Sequence, residues 1–591
     1  MKCKDIMRKE AFERTDNFNK APFLLLFFTL IILCFTQCRN GLPSGDPDNG
    51  GLFLPGDFDA VGVVDSLAGA ARHLAVNDNG DIYVKLRFPD SLGGNAALRD
   101  TDNDGKADII KTFGDYQDRD QYGTAMRINN GYLWFSSVTK IFRQKLSRGK
   151  LIPDSEMELM LTDTQRISQH DAKPIAFDNN GNMYVPFGAP SDCCQVNDRT
   201  PFSPGIYPCP LLELRGGIWK FDADKPNQFQ KDGQKFATGL RSVVALAWDT
   251  ADNNLFTAAH GRDDLREAWP NLFTAWQSSV LPSEVFLKLE EGADAGWPYH
   301  YYDQIQEKYV LNPEYGGDGQ KQGDVSKLAK PLIGFQGHVA PNDLLFYTGD
   351  QFPERYKGGA FIAFHGSTSS APYPQTGYYV AFVPMKNGAP SGPWEVFADG
   401  FVSKQPLVNP SDAIYRPMGL AQGPDGSLYV SDSEKGKIWR IMFKGDKNNF
   451  GKSQLAEAEM RKLQAPNIKM PDEAKDILEQ NRRRQNGKLY WLYCRACHQS
   501  DGKGDGSRFP PLTDSEWVTG DSKILIGIVL NGKEGEITVK GRTYNGSMPE
   551  LSMLNDDQIA NILTYIRLRF NNDSTAITAE EVSKVRKELK K

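Results

Sequence analysis

Near the C-terminal end, Cys494-Arg495-Ala496-Cys497-His498 sets two thiols three residues apart, with an imidazole directly after the second. On one turn of helix both sulfurs can form thioether bonds to a porphyrin edge while the imidazole reaches the iron. A zinc half-site and a redox dithiol share part of this pattern. Zinc needs a second Cys/His pair downstream, and no histidine follows His498. The spacing predicts covalent haem c with His498 on the iron. About fifty residues on, Gly546-Ser547-Met548-Pro549 offers a thioether, read here as part of a rigid loop, for the opposite axial position. Met553 is the competing sulfur; its apolar setting before Asn555 reads as core.

A second group of residues lies far upstream. Asp100, Asp102, Asp104 and Asp108 alternate along Asp100-Thr-Asp-Asn-Asp-Gly-Lys-Ala-Asp108, with glycine at the sixth position. Such a run can wrap oxygens round Ca²⁺ as the first half of an EF-hand loop does, although no glutamate follows at position twelve. The plain alternative is a solvated acidic turn. Six histidines precede the haem motif: His73, His170, His260, His300, His338 and His365. Arg241, Arg262 and Arg416 join them beside strand-like segments. Imidazoles and guanidiniums converging on one pocket suit an acidic cofactor and a proton-abstraction step. Cys193, Cys194 and Cys209 form a third group, in which at least one pair should bond and one thiol is left over. The sequence leaves the pairing open.

These residues must be positioned by a turn-rich β scaffold. An apolar strand, an Asp/Asn/Gly turn and a second strand recur at 74–84, 126–135, 175–185, 246–258, 345–364 and 420–430. Six such hairpins, separated by further strand-like runs, predict an all-β six-bladed propeller over 51–445, one four-stranded blade per copy. A pair of β-sandwiches is the alternative, but a repeated hairpin of similar chemistry favours radial repetition. A charged, partly helical linker is expected over 446–484, with helices at 454–463 and 471–484. A small all-α haem domain should fill 485–591. Its helix over 556–570 would bury Ile559, Ile562, Leu563 and Ile566, and a capping box at Thr578–Glu581 would open the last helix.

Composition and the N-terminus set the compartment. Of 591 residues, 40% are hydrophobic and 24% charged, which excludes wholesale disorder. Lys+Arg 69 against Asp+Glu 75 gives a net charge of −6, so no phosphate-tracking nucleic-acid binder is expected. Lys2, Lys4, Arg8, Lys9, Arg14 and Lys20 precede an apolar run from Phe23 to Phe35, too short to span a bilayer comfortably but suited to an export signal. Cys38 follows, ahead of a Gly/Pro/Asp-rich stretch over 39–50. Segment 1–38 resembles a bacterial lipoprotein signal, with Gln37 where a small residue is usual. Lipidation at Cys38, export to the periplasm or cell envelope and anchorage to a membrane are the expectations.

The C-terminal domain resembles class I cytochrome c over its whole length. The propeller segment carries, in order, His170, Gly239-Leu240-Arg241-Ser242, His260-Gly261-Arg262-Asp263-Asp264-Leu265, Gly296-Trp297-Pro298-Tyr299, His338-Val339-Ala340-Pro341, Tyr347-Thr348-Gly349-Asp350 and Arg416-Pro417-Met418-Gly419. That order resembles the soluble quinoprotein glucose/sorbosone dehydrogenases. The resemblance implies a six-bladed propeller binding pyrroloquinoline quinone (PQQ) and calcium, with His170 as general base and Arg241 and Arg416 on the cofactor. Arg262 and His338 are placed with that cofactor set, His338 also being the next base candidate. Two departures stand out: Ser242 replaces the family's asparagine, and Thr368-Ser369-Ser370 replaces Trp-Asn-Arg. The implied protein is an exported oxidoreductase that oxidises a sugar or related polyol and passes electrons through haem to an external redox partner. The competing expectation is a haem electron carrier whose propeller binds a glycan or partner without catalysis.

Overall fold

The computed structural model describes residues 41–90, 93–116, 123–167, 169–403, 405–472, 489–568, 570, 572 and 574–589. The basic N-terminal stretch, the apolar run and Cys38 lie outside the described residues. So does most of the helix expected over 471–484. Among the described residues no helix is long and apolar enough to cross a membrane.

The six expected hairpins are the two inner strands of six successive sheets, which form a six-bladed propeller. In blade 1 they are Ala71–Val76 and Ile82–Asp90, in blade 2 Met126–Asn129 and Tyr132–Ser136, in blade 3 Ala176–Phe177 and Asn182–Phe187. In blades 4 to 6 they are Ser242–Asp249 with Asn254–His260, Pro341–Phe346 with Ala360–Phe364, and Pro417–Gln422 with Leu428–Asp432. Local chemistry explains the reversals. Between Met126–Asn129 and Tyr132–Ser136, Asn130 and Gly131 take φ of 50° and 77°, the two positive values that a two-residue hairpin turn requires. Neighbouring blades are welded by apolar clusters; Trp134 of blade 2, for example, is buried with Met183, Phe187 and Trp219 of blade 3. Cys194 and Cys209 are bonded to each other and Cys193 is a buried free thiol, which resolves the pairing left open above.

The ring closes with a strand the hairpin pattern did not reveal. Phe58–Val64 runs antiparallel to Ile438–Phe443, with Phe58 opposite Phe443, and supplies the outer strand of blade 6. Two short strands also stitch backwards: Gln228–Phe229 lies parallel on Met157–Thr162 of blade 2, and Ala293–Asp294 on Gln234–Thr238 of blade 3.

Downstream of the ring, the expected first linker helix is present as Lys452–Gln464, but it does not hang free. It lies against Glu395–Ala398, the outer strand of blade 5. The haem motif then forms Arg495–His498, followed by Glu516–Thr519, Ser522–Asn531, Asp556–Arg567 and Ala579–Leu589. Ile559, Ile562, Leu563 and Ile566 are buried as their spacing required, and Thr578 and Glu581 exchange the capping hydrogen bonds at 2.7 and 3.2 Å. The domain is not purely helical. Lys533–Val539 and Arg542–Met548 form a hairpin turned by Lys540 and Gly541, both at positive φ.

Candidate functional site

Antiparallel pairing decides which residues meet. Ser242 pairs with His260, Pro341 with Phe364 and Pro417 with Asp432, so the start of each first strand and the end of each second strand share one end of the ring. We call this the funnel face. His73, His170, His260, His338, His365, Arg241 and Arg416 all flank such strand ends and therefore come to that face. Arg72 and Arg87, at the same two positions of blade 1, join them.

On the blade 3–4 side, His170 is backbone-constrained at φ 57°, and its Nδ1 donates to the Ala189 carbonyl at 2.7 Å. That bond leaves the lone pair on Nε2. Burial, reinforced by the nearby Arg241 charge, holds its pKa down to about 3, so the ring is a neutral base at physiological pH. Arg241 is itself buried and engaged. It pairs with Asp192, with Asp263 at 3.2 Å and with the Gly261 carbonyl. Arg262 is likewise turned to Glu314 at 2.7 Å and Asn312 at 3.3 Å. Both arginines thus brace the wall behind His170, and both also line a small cleft with His260, Trp297 and His300.

His338 has the opposite character. Burial opposes its charge, but Asp263, 3.4 Å from Nδ1, and Glu284 outweigh it, while Nε2 donates to Ser278 O at 2.8 Å; its pKa rises to about 9. A protonated imidazole cannot accept a proton, which favours His170 over His338 as the base. His260 bonds to Pro341 O at 2.9 Å and His73 to Asn342 O at 2.8 Å, whereas His300 lies off the strand ends with its pKa lowered by burial.

The blade 5–6–1 side concentrates cations. Arg416 Nη2 donates to Gly366 O at 2.6 Å and Nε to His365 O at 3.2 Å. Arg87 donates to Ser433 O and to Glu434, the latter 4.0 Å from Arg416 as well. Burial and then the charges of Arg416, Arg72 and Arg87 push the His365 pKa well down. Three guanidiniums therefore act on one imidazole, while Glu434 answers two of them. A set so rich in cationic donors fits a small polycarboxylate. Sequence reasoning named Arg416 here and missed Arg72 and Arg87, although both flank the first hairpin as the named residues flank the others.

The acidic run joins Gly93–Arg99 to Ile109–Phe113, at the opposite end of blade 1 from the funnel face. Carboxylate oxygens of Asp100, Asp102 and Asp108 lie within 4.8 Å of one another. Asp104 is not in this trio; it accepts from the Lys106 N–H at 2.7 Å. Any cation held here would be remote from His170.

In the small domain, Cys494, Cys497, His498 and Met548 line one largely apolar cavity of about 1200 Å³, its open mouth included. His498 Nδ1 donates to Pro510 O at 2.9 Å, which leaves Nε2 for a metal. These donors fit a haem c. Met548 ends a β-strand rather than sitting in a loop. Met553 is 68% exposed, so the reading of it as a core residue is corrected: two residues beyond buried Leu551, its side chain faces solvent.

Comparison with known proteins agrees with this division. Residues 485–568 match the Cytochrome c family, and residues 268–444 match the family described as TrAA12-like. Cytochrome c-552 of Thermus thermophilus is 36% identical over 110 residues, 17% of this chain and 84% of that protein. A structure of the Trichoderma reesei carbohydrate-active enzyme of family AA12 superposes with a TM-score of 0.54 at 17% identity, covering 67% of this chain and 98% of the other. The PQQ domain of pyranose dehydrogenase from Coprinopsis cinerea gives 0.53 at 18% identity, covering 66% and 97%. At these identities the two structures establish the propeller fold. The chain belongs to the cytochrome c family through its C-terminal domain, which it joins to a six-bladed propeller whose residues 268–444 match the TrAA12-like model.

Proposed function

We propose that this protein is an exported quinohaemoprotein dehydrogenase that oxidises a hydroxyl group of a sugar or related polyol at the funnel face. The observation that carries this reading is His170: a half-buried imidazole, neutral at physiological pH, with its proton fixed on Nδ1 and Nε2 left to accept. A sugar hydroxyl is a very weak acid, and hydride departure from its carbon requires a base to take the hydroxyl proton. His170 Nε2 takes that proton. Arg416, Arg72, Arg87 and His365 would hold PQQ, whose quinone supplies the two-electron acceptor. Arg241 and Arg262 keep the wall behind the base rigid, and Arg241 adds the charge that keeps the ring neutral. The substrate would become a carbonyl compound as its hydroxyl proton goes to His170 and the hydrogen on its carbon leaves with two electrons, as hydride, to the acceptor. Cys494 and Cys497 would hold haem covalently, with His498 and Met548 as the candidate iron ligands, and the haem would supply a one-electron relay to an external redox partner. Calcium at Asp100, Asp102 and Asp108, and lipid on Cys38 anchoring the protein to a bacterial membrane, complete the proposal as a rigid loop and a tether.

The test uses the full chain, matured with haem and supplied with PQQ and Ca²⁺. Haem reduction is followed by visible absorbance across a panel of aldoses and polyols. Reduction by any of them supports the dehydrogenase. A flat spectrum with PQQ absent from the purified protein supports a haem carrier with a non-catalytic propeller.

A further inference from the structure

The last propeller strand leaves the chain on the wrong side. Ile438–Phe443 belongs to the third strand position of blade 6, so it ends at the face opposite the funnel. A cytochrome joined directly to that point would hang beneath the ring, away from His170 and the cation cluster.

Residues 450–472 reverse this. Phe450 packs on Phe58 and Phe443, whose pairing marks the far face. The Gly56 N–H donates to Gln454 O at 2.8 Å and Gln454 Nε2 to Asp57 at 3.1 Å. Helix Lys452–Gln464, about 20 Å long at 1.5 Å per residue, then climbs the outer edge of blade 5 with Leu455 and Ala458 buried. At its upper end Arg461 pairs with the buried Asp399 and stacks on Phe53 at 3.8 Å. Asn467 bonds both Asp399, at 3.1 Å, and the backbone of Gly377, at the funnel-side start of the third strand of blade 5. Ile468 is buried in the cluster of Phe335 and Val339. Finally Trp276 Nε1 donates to Pro471 O at 2.6 Å. Trp276 belongs to Ala275–Val280, the helix whose Ser278 carbonyl holds His338.

We propose that this segment is a strap that carries the cytochrome round the rim to the funnel face, so that its haem serves the propeller of its own chain. The strap ends at the wall of the candidate active site, and the 16 residues from 473 to 488 can reach at most about 55 Å from there. An ion pair at 3.6 Å between Arg266, in the same funnel-side insertion as Trp276, and Asp557 of the cytochrome fits this placement. Without the strap the chain between the anchored ends would lengthen from 16 residues to about 37, and effective concentration falls roughly as the −3/2 power of that length, about three- to fourfold here before the change of face is counted.

Two measurements test it on the haem-loaded full chain. The first needs no turnover. A fluorophore on Tyr207→Cys, in the funnel-side insertion of blade 3, should be quenched by haem more strongly than one on Asn180→Cys, in the far-face turn of the same blade. Leu455→Asp/Ala458→Asp, which lifts the helix without stranding a buried charge, should abolish the difference; Arg461→Ala/Asn467→Ala provides a second release. Equal quenching in the parent, or a difference that survives strap release with the propeller folded, overturns the strap. The second measurement rests on the dehydrogenase reading. Sugar-driven haem reduction should slow at least about threefold in the released variants while reduction of a small soluble dye at the propeller is kept. Loss of both in the parent would sink the dehydrogenase reading and leave the quenching result to decide the strap.

Discussion

The pKa of His170 makes a sharp kinetic prediction. An imidazole at its ordinary pKa of about 6.5 would be about 90% neutral at pH 7.5 and about 10% neutral at pH 5.5. A base of that kind would lose roughly tenfold in rate over the interval. Burial and the Arg241 charge instead place the His170 pKa at about 3, so the ring remains more than about 99% neutral at pH 5.5. The sign follows from the direction of the shift: a lowered pKa moves the acid limb of the rate profile down, never up. The expected profile of kcat/KM for sugar-driven haem reduction is therefore flat from pH 7.5 to about 4.5, falling only near pH 3. The assay is stopped-flow haem absorbance over that range, with circular dichroism at each pH to confirm the fold. His170→Gln should remove most of the rate at every pH. An acid limb centred near 6.5 in the parent, absent from a variant with residual activity, would refute the assignment of a preformed neutral base.

His170→Ala should lower sugar-driven haem reduction by about 10²–10⁴ while dithionite still reduces the haem at the parent rate. Met548→Ala should abolish the sulfur-to-iron charge-transfer absorption and lower the reduction potential, whereas Met553→Ala, on an exposed side chain, should leave both unchanged. Cys209→Ser opens a bridge spanning 15 residues and should cost at most about 3 kcal/mol in urea denaturation, more loss pointing to damage beyond the insertion. His338, with its folded pKa raised to about 9, contributes stability present in full below about pH 6.5 and lost as pH rises through 9; His338→Gln should flatten that part of the stability curve.

What could be read in advance follows a physical division. The six hairpins were legible because each writes its turn chemistry and its alternation into about a dozen consecutive residues. The haem motif was legible because two thioethers and an axial ligand demand a fixed local spacing. The closing strand Phe58–Val64 was not, since its partner lies some 380 residues away and nothing local declares the pairing. The hairpin at Lys533–Met548 was masked by glycine and charge, although Lys540-Gly541 could have signalled it. The roles of Arg241 and His338 depend on Asp192, Asp263 and Glu284, contributed by separate blades or insertions, so only the assembled ring reveals which cation is already neutralised. Arg72 and Arg87 were readable by position, had the flanks of every hairpin been compared rather than only those carrying the family's motifs.

The closing strand has a consequence for how the molecule comes into being. Blade 6 cannot be completed until residues near both ends of the propeller exist in the same chain, a contact order high enough to make folding slow. During synthesis Phe58–Val64 must therefore wait, unpaired, until Ile438–Phe443 exists, and meanwhile it presents an open edge to any other strand it meets. A chain exported as an extended thread would be spared that wait in the cytoplasm and would close its ring only after crossing. The cytochrome, built from local contacts, needs no such delay. Haem attachment could precede closure, and a cleavage that removes Phe58–Val64 should leave a coloured protein with an open, association-prone ring.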